Sequence, residues 1–170
     1  MQKLNTSRFI CIGAILVALT VIFQSAPVFL PSIGLVLSPF STLPIAIAAV
    51  INISLGFLVF FASVLILVIV SVEETIILLF TTGVLGIVIG TLLYRKGIKI
   101  SILVSSVALS LGMICLTYLI GISAFVDLTR LISTLIIFLA YFSFSFIYAC
   151  IWNICFKKFM NYLSKIKLIT

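Results

Sequence analysis

The chain has 170 residues, 65% of them hydrophobic and 8% charged, with a net charge of +7 and a mean hydropathy of +1.54. A soluble domain carries roughly a quarter charged residues, so this composition excludes a water-soluble globule and describes a single integral membrane domain over residues 1–170. The positive charges sit at the ends of apolar runs, where anionic lipid and insertion bias account for them, and no nucleic-acid partner is expected.

The N-terminal stretch imitates a signal peptide, with Lys3 and Arg8 ahead of the apolar run Phe9 to Phe23. Pro27 directly after Gln24-Ser25-Ala26 is a poor place to cleave, so a retained first helix is expected over about 8–24. On it Cys11, Ala14 and Ala18 share a face, and Ala14-x-x-x-Ala18 is a small-xxx-small pattern that lets another helix approach closely. All four prolines (Pro27, Pro31, Pro39 and Pro44) fall between Ser25 and Pro44. Each removes a backbone donor, and the stretch reads as a long, structured, mostly apolar loop, either a connector or the wall of a pocket.

Pro44 to Val72 carries no charge, and Asn52-Ile53-Ser54-Leu55-Gly56 has a turn composition in its middle. Dividing there gives a short second helix over about 39–51 and a third over 56–72. The acids Glu73-Glu74 precede a fourth helix over 75–94, which ends at the basic cluster Arg95-Lys96-Gly97-Ile98-Lys99. Gly83, Gly86 and Gly90 line one face of that helix as a close-packing groove. A fifth helix is expected over 100–122, a turn over Gly121 to Asp127, an aromatic-rich sixth helix over 128–156, and a basic amphipathic tail over 157–170 on the membrane surface.

Cytoplasmic flanks favour Lys and Arg. With six helices and both termini cytoplasmic, nine of the ten positives lie inside, while Arg130 and the acids Glu73, Glu74 and Asp127 lie outside. A five-helix arrangement keeps only seven positives inside. The expected fold is an all-α integral membrane protein, a six-transmembrane-helix bundle with both termini cytoplasmic. Abundant Ile and a seven-to-three excess of Lys over Arg point to an AT-rich bacterial genome, and the expected location is a bacterial inner membrane.

The chain has no histidine, hence no Ser-His-Asp triad, no imidazole base and no histidine metal site. Cys11, Cys115, Cys150 and Cys155 lie in apolar runs without metal-like spacing and read as packing residues. Glu73 and Glu74 are helix neighbours that do not face one another, so they make no paired-carboxylate site by themselves. Their plain reading is a solvated helix N-terminus; Asp127 reads as a cap and Arg130 as its ion-pair partner. The functional reading makes Glu73, Glu74, Asp127 and Arg130 the polar rim of an outward-facing apolar pocket that binds a small molecule. Gln24, Asn52, Asn153 and Asn161 read as caps or interhelical hydrogen-bonding groups. No phosphate-binding loop is present, so energy for any active transport comes from another subunit. No enzyme activity, cofactor or bound metal is expected.

The short first helix with Ala14 and Ala18, the following loop, and Leu43-Pro44-Ile45 opening helix 2 resemble the membrane substrate-binding subunits of energy-coupling-factor transporters. Gly56 opening helix 3 and the run Thr82-Gly83-Val84-Leu85-Gly86-Ile87-Val88-Ile89-Gly90 before Arg95-Lys96 look most like YybS-type bacterial membrane proteins. This resemblance covers residues 8–125 and implies capture of a micronutrient from outside. It also implies that Ala14 and Ala18 dock a transmembrane coupling subunit carrying two ATPases. No vitamin-specific motif is recognisable, and without an N-terminal histidine site nickel or cobalt uptake is not expected. Phe23-Gln24-Ser25 at the end of helix 1 and Glu73-Glu74 at the end of helix 3 are also similar to MreD-type cell-shape proteins. That likeness implies a scaffold of envelope morphogenesis or sporulation with no substrate.

Overall fold

A computed structural model describes residues 6–117 and 134–165. Among these residues every element is helical, and six helical stretches are long and apolar enough to cross a membrane: Ser7–Phe29, Pro31–Ile51, Ile53–Val70, Val72–Leu92, Ile98–Cys115 and Phe138–Tyr162. The chain divides into two compact units, Met1–Thr91 and Leu92–Thr170.

In the first unit α1 (Thr6–Phe29) is followed by α2 (Pro31–Leu37), a tight 3₁₀ turn (Ser38–Ser41) and α3 (Thr42–Ile51). These make one broken span where the sequence suggested a loop and a short helix. The prolines explain how helix survives there. Pro31 and Pro39 stand in the first two positions of their segments, Pro44 is the third residue of α3, and Pro27 lies in the last turns of α1. At Pro31 a helix begins, and the first N–H groups of a helix have no intrahelical acceptor, so the proline forfeits no bond; Pro39 and Pro44 follow residues that are already helical, and the backbone takes 3₁₀ geometry over Ser38–Ser41. Leu30 is the one residue between α1 and α2, and the chain reverses so sharply that a side chain on Gly34 would run into the backbone of Ala26 and Pro27.

Single extended residues make the next two breaks. Asn52 starts α4 (Ile53–Val70) and accepts a hydrogen bond from the Ser54 N–H at 2.9 Å. Ser71 starts α5 (Val72–Ile77) and accepts one from the Glu74 N–H at 3.4 Å. Ser and Asn are favoured caps because their side-chain oxygens satisfy these free donors. The fourth span therefore opens at Val72 rather than Thr75. It continues through a π-helical segment (Leu78–Thr82) into α6 (Gly83–Leu92).

The core of this unit joins Leu16 and Val17 of α1, Ile45 and Ala48 of α3, Leu55, Val59, Phe60 and Leu67 of α4, and Leu78. Glycines let the helices approach. A Cβ on Gly56 would lie 2.7 Å from the Ala49 Cβ, and one on Gly86 would lie 2.9 Å from the Thr42 carbonyl oxygen. One on Gly90 would strike the Ala46 carbonyl, and one on Gly83 the Phe60 ring. Outward faces such as Phe57, Phe61, Leu65 and Ile69 of α4 are exposed and apolar, as a lipid solvent requires.

The second unit pairs α7 (Ile98–Cys115) with α8 (Thr134–Lys165). Gly97 precedes α7 with φ of 87°, the left-handed region that glycine enters without strain. The seam between the helices is polar: Ser101 donates to the Asn153 Oδ1 at 2.5 Å, and Thr117 and Tyr141 share a hydrogen bond of 2.8 Å. Asn153 thus bonds across helices instead of capping one. The last helix does not stop at Phe156; no Gly or Pro breaks 157–165, and α8 carries Lys157 and Lys158 on its exposed face. The expected turn at 121–127, the start of the sixth helix at 128 and residues 166–170 lie outside the described residues.

Candidate functional site

Gln24 is the centre of the most developed polar arrangement in the first unit. It lies on α1 five residues before Phe29, about 7.5 Å along the axis from that end. Its side chain is fully buried. The amide nitrogen donates to the Glu74 Oε2 at 2.7 Å and to the Ser38 Oγ at 3.0 Å. Its carbonyl oxygen accepts from the Ser41 Oγ at 2.7 Å and from the Thr82 Oγ1 at 3.0 Å. A primary amide offers two donors and two acceptor sites, and all are used. One side chain therefore ties α1 to the 3₁₀ turn, to α5 and to the end of the π-helical segment.

The irregular backbone explains the convergence. The 3₁₀ turn brings both Ser38 and Ser41 onto the α1 side, and the π-helical segment ends on Thr82. In the hydrocarbon region, irregular backbone is tolerated where it is buried in protein, as it is here. The neighbouring hydroxyls are satisfied locally: Thr42 donates to the Pro39 carbonyl at 2.8 Å and Thr81 to that of Ile77 at 2.6 Å.

Glu74 is 8% exposed, whereas Glu73 beside it is exposed to solvent or lipid headgroups. The reading of both acids as a solvated helix start therefore holds for Glu73 alone. Ser71-Val72-Glu73-Glu74 is a capping-box sequence, in which the glutamate normally reaches back to the cap N–H. Here only half of the box forms. The Ser71 N–H is already bonded to the Leu67 carbonyl at 2.8 Å, and the Glu74 carboxylate turns inward to Gln24 instead. That inward turn puts an acid inside the helical unit, where the sequence suggested none. Asp127 and Arg130 lie outside the described residues.

The small-residue pair occupies a different place. Ala14 and Ala18 are both exposed and line an open apolar groove of about 720 Å³ between α1 and α4, with Gly13, Leu58, Ala62 and Ile66. The polar cluster involves the last third of α1 and this groove its earlier turns. Among the described residues no three His, Cys, Asp or Glu side chains gather as a metal site.

No protein-family model, no curated protein and no solved structure matches this chain.

Gln24 was visible in the sequence as an isolated polar residue in an apolar helix, but its partners were not. Ser38 and Ser41 become site residues through the folding back of the Pro31–Ile51 span, and Thr82 through the approach of the end of the π-helical segment to α1. The Ser71-x-x-Glu74 spacing was the one local signal that placed Glu74 in a helix turn.

Proposed function

We propose that the chain is a non-catalytic, multi-pass subunit of a bacterial inner-membrane uptake system, with both termini cytoplasmic. In this reading it binds a small molecule at the outer polar end of the bundle. A separate transmembrane subunit with two ATPases supplies the energy. The observation that carries the reading is the exposed apolar groove between α1 and α4, with Gly13, Ala14, Ala18 and Ala62 among its lining residues, small side chains of the kind that let a second helix approach. Helix association in lipid depends on such close packing, because burying apolar surface yields no hydrophobic gain there.

The test is affinity purification from native membranes in mild detergent, with mass spectrometry of the proteins retained. Wild type is expected to retain a membrane subunit and an ATPase pair, and Ala14→Leu and Ala18→Leu to lose them by filling the groove. Unaltered assembly in both variants removes the docking role. A second reading, a scaffold of envelope morphogenesis, is favoured by the complete internal bonding of Gln24, which leaves that amide nothing to offer a substrate. It predicts altered cell shape or spore yield on deletion, with uptake unchanged.

A further inference from the structure

In the second unit α7 and α8 run antiparallel, and their hydrogen bonds fix the register: Ser101 meets Asn153, and Thr117 meets Tyr141. α7 begins at Ile98, three residues before Ser101, and Lys157 follows Asn153 by four. At about 1.5 Å of rise per residue, Ile98 and Lys157 lie within about 2 Å of one level along the pair. Lys157 stands one turn past Asn153 on the same face of α8, and both it and Lys158 are exposed. The chain enters α7 through a tight turn. The Lys96 N–H still bonds the Leu92 carbonyl at 2.8 Å, and Gly97 then turns the chain with φ of 87°. Lys96 is two residues from Ile98, within about 7 Å of it, and Arg95 is beside it. Both are exposed, as is Lys99 in the first turn of α7. Cations thus gather at one end of this unit, where among the described residues there is no acid to pair with them. The C-terminus of α6 favours Arg95 and Lys96, but Lys157 and Lys158 stand eight and seven residues before the end of α8, too far for its dipole to account for them.

We propose that Arg95, Lys96, Lys157 and Lys158 bind the phosphodiester headgroup of an anionic phospholipid, whose acyl chains lie along the apolar sides of α7 and α8. Next to the cations, Ile100 and Leu103 of α7 and Ile151 and Ile154 of α8 are exposed. A ligand that meets cations at one end and bare hydrocarbon along the rest is an amphiphile; free phosphate or an acidic peptide would use the cations alone. Tyr94, half exposed beside Arg95, is of the residue type that settles at headgroup level. Clusters of about four to eight Lys and Arg at the end of a membrane helix attract anionic lipid. Insertion bias asks only that positive charges stay on one side of the membrane, whereas here they are gathered on one unit, with Arg8 the one described cation of the other. The lipid site serves an uptake subunit and a scaffold alike, so it stands or falls apart from both.

The experiment is a thermal melt of the purified full chain in a neutral detergent at fixed pH and ionic strength. Phosphatidylglycerol or phosphatidylcholine with the same acyl chains is added stepwise to the micelles. Phosphatidylglycerol is expected to raise Tm saturably, by at least about 3 °C more than phosphatidylcholine does. Raising sodium chloride from about 50 mM to about 300 mM should cut that difference at least about twofold. The fourfold variant Arg95→Gln, Lys96→Gln, Lys157→Gln, Lys158→Gln should retain less than about a third of it, whereas Arg8→Gln, on the other unit, should retain it in full. Native mass spectrometry of the wild-type chain in an equimolar mixture of the two lipids keeps the test independent of how the variants fold: retained phosphatidylglycerol should exceed retained phosphatidylcholine. Equal effects of the two lipids overturn the proposal, as does an undiminished response in the fourfold variant. A loss in Arg8→Gln as large per charge as in the fourfold variant reduces the effect to net charge and overturns the site, and an equal rise with glycerol phosphate, which has no acyl chain, overturns the lipid as its occupant.

Discussion

Replacing Gln24 by Leu is the sharpest test of what holds the first helical unit together. The two side chains are of similar size, so the change opens little cavity and acts almost wholly through hydrogen bonds. Four are lost, to Ser38, Ser41, Glu74 and Thr82. Interhelical bonds in membranes average about 0.6 kcal/mol, and a bond to a carboxylate is worth about 1.5–3 kcal/mol. Together the loss comes to about 3–5 kcal/mol, since the carboxylate is also left with no partner. At about 2–4 °C per kcal/mol for a chain of this size, Tm should fall by at least about 6 °C. Far-UV circular dichroism during thermal unfolding in mild detergent reads the shift. Ser41→Ala and Thr82→Val each remove one bond and should each lower Tm by only about 1–3 °C. If Gln24→Leu melts within about 1 °C of wild type, the cluster does not secure the 3₁₀ turn and the π-helical segment to α1, and the reasoning fails.

The glycines separate backbone contact from side-chain contact. Gly56→Ala and Gly90→Ala push a Cβ against Ala49 and against the Ala46 carbonyl, and each should cost about 1–3 kcal/mol. Gly13→Ala meets only the tip of Leu55 at 3.3 Å and should leave Tm unchanged in the same melts. In the second unit Asn153→Leu should destabilise by about 1–2 kcal/mol through loss of the Ser101 bond. Ser105→Ala should be neutral or stabilising, because its buried hydroxyl has no partner among the described residues. For orientation, Asn5→Cys in a cysteine-free background should react with an impermeant maleimide only after cells are permeabilised; labelling of intact cells overturns the proposed topology.

Much of the helix layout was legible because lipid is an undemanding solvent for a reader. Apolar length located most of the spans, and Asn52 announces its own break because asparagine favours turns and helix starts. The prolines misled for a local reason. Proline opposes helix where its ring meets a preceding turn; at Pro31 there is none, and at Pro39 the backbone takes 3₁₀ geometry over Ser38–Ser41 and continues into α3. Ser71 is obscured by the charged pair Glu73-Glu74, which looks like the boundary although the cap stands two residues earlier. The polar cluster was the least legible part. Gln24 and Thr82 are 58 positions apart, and nothing in an apolar sequence reports which faces of two helices meet. The glycines came nearer to doing so, since Gly83, Gly86 and Gly90 recur at helical spacing on a buried face.

The choice between an uptake subunit and a scaffold turns on Glu74 more than on Gln24. The fully bonded Gln24 amide leaves nothing for a substrate and so leans toward the scaffold, but any helical unit can use such an amide to fix its register. A largely buried carboxyl is different, because its charged form is costly in lipid unless a partner or a proton compensates it. A scaffold would gain from its replacement by glutamine, which keeps a partner for Gln24 and removes the charge. An uptake subunit would lose its ligand by the same change. Glu74→Gln therefore separates the two roles in a single variant: higher Tm with normal envelope growth and uptake speaks for the scaffold, whereas unaltered or higher Tm with uptake abolished speaks for transport.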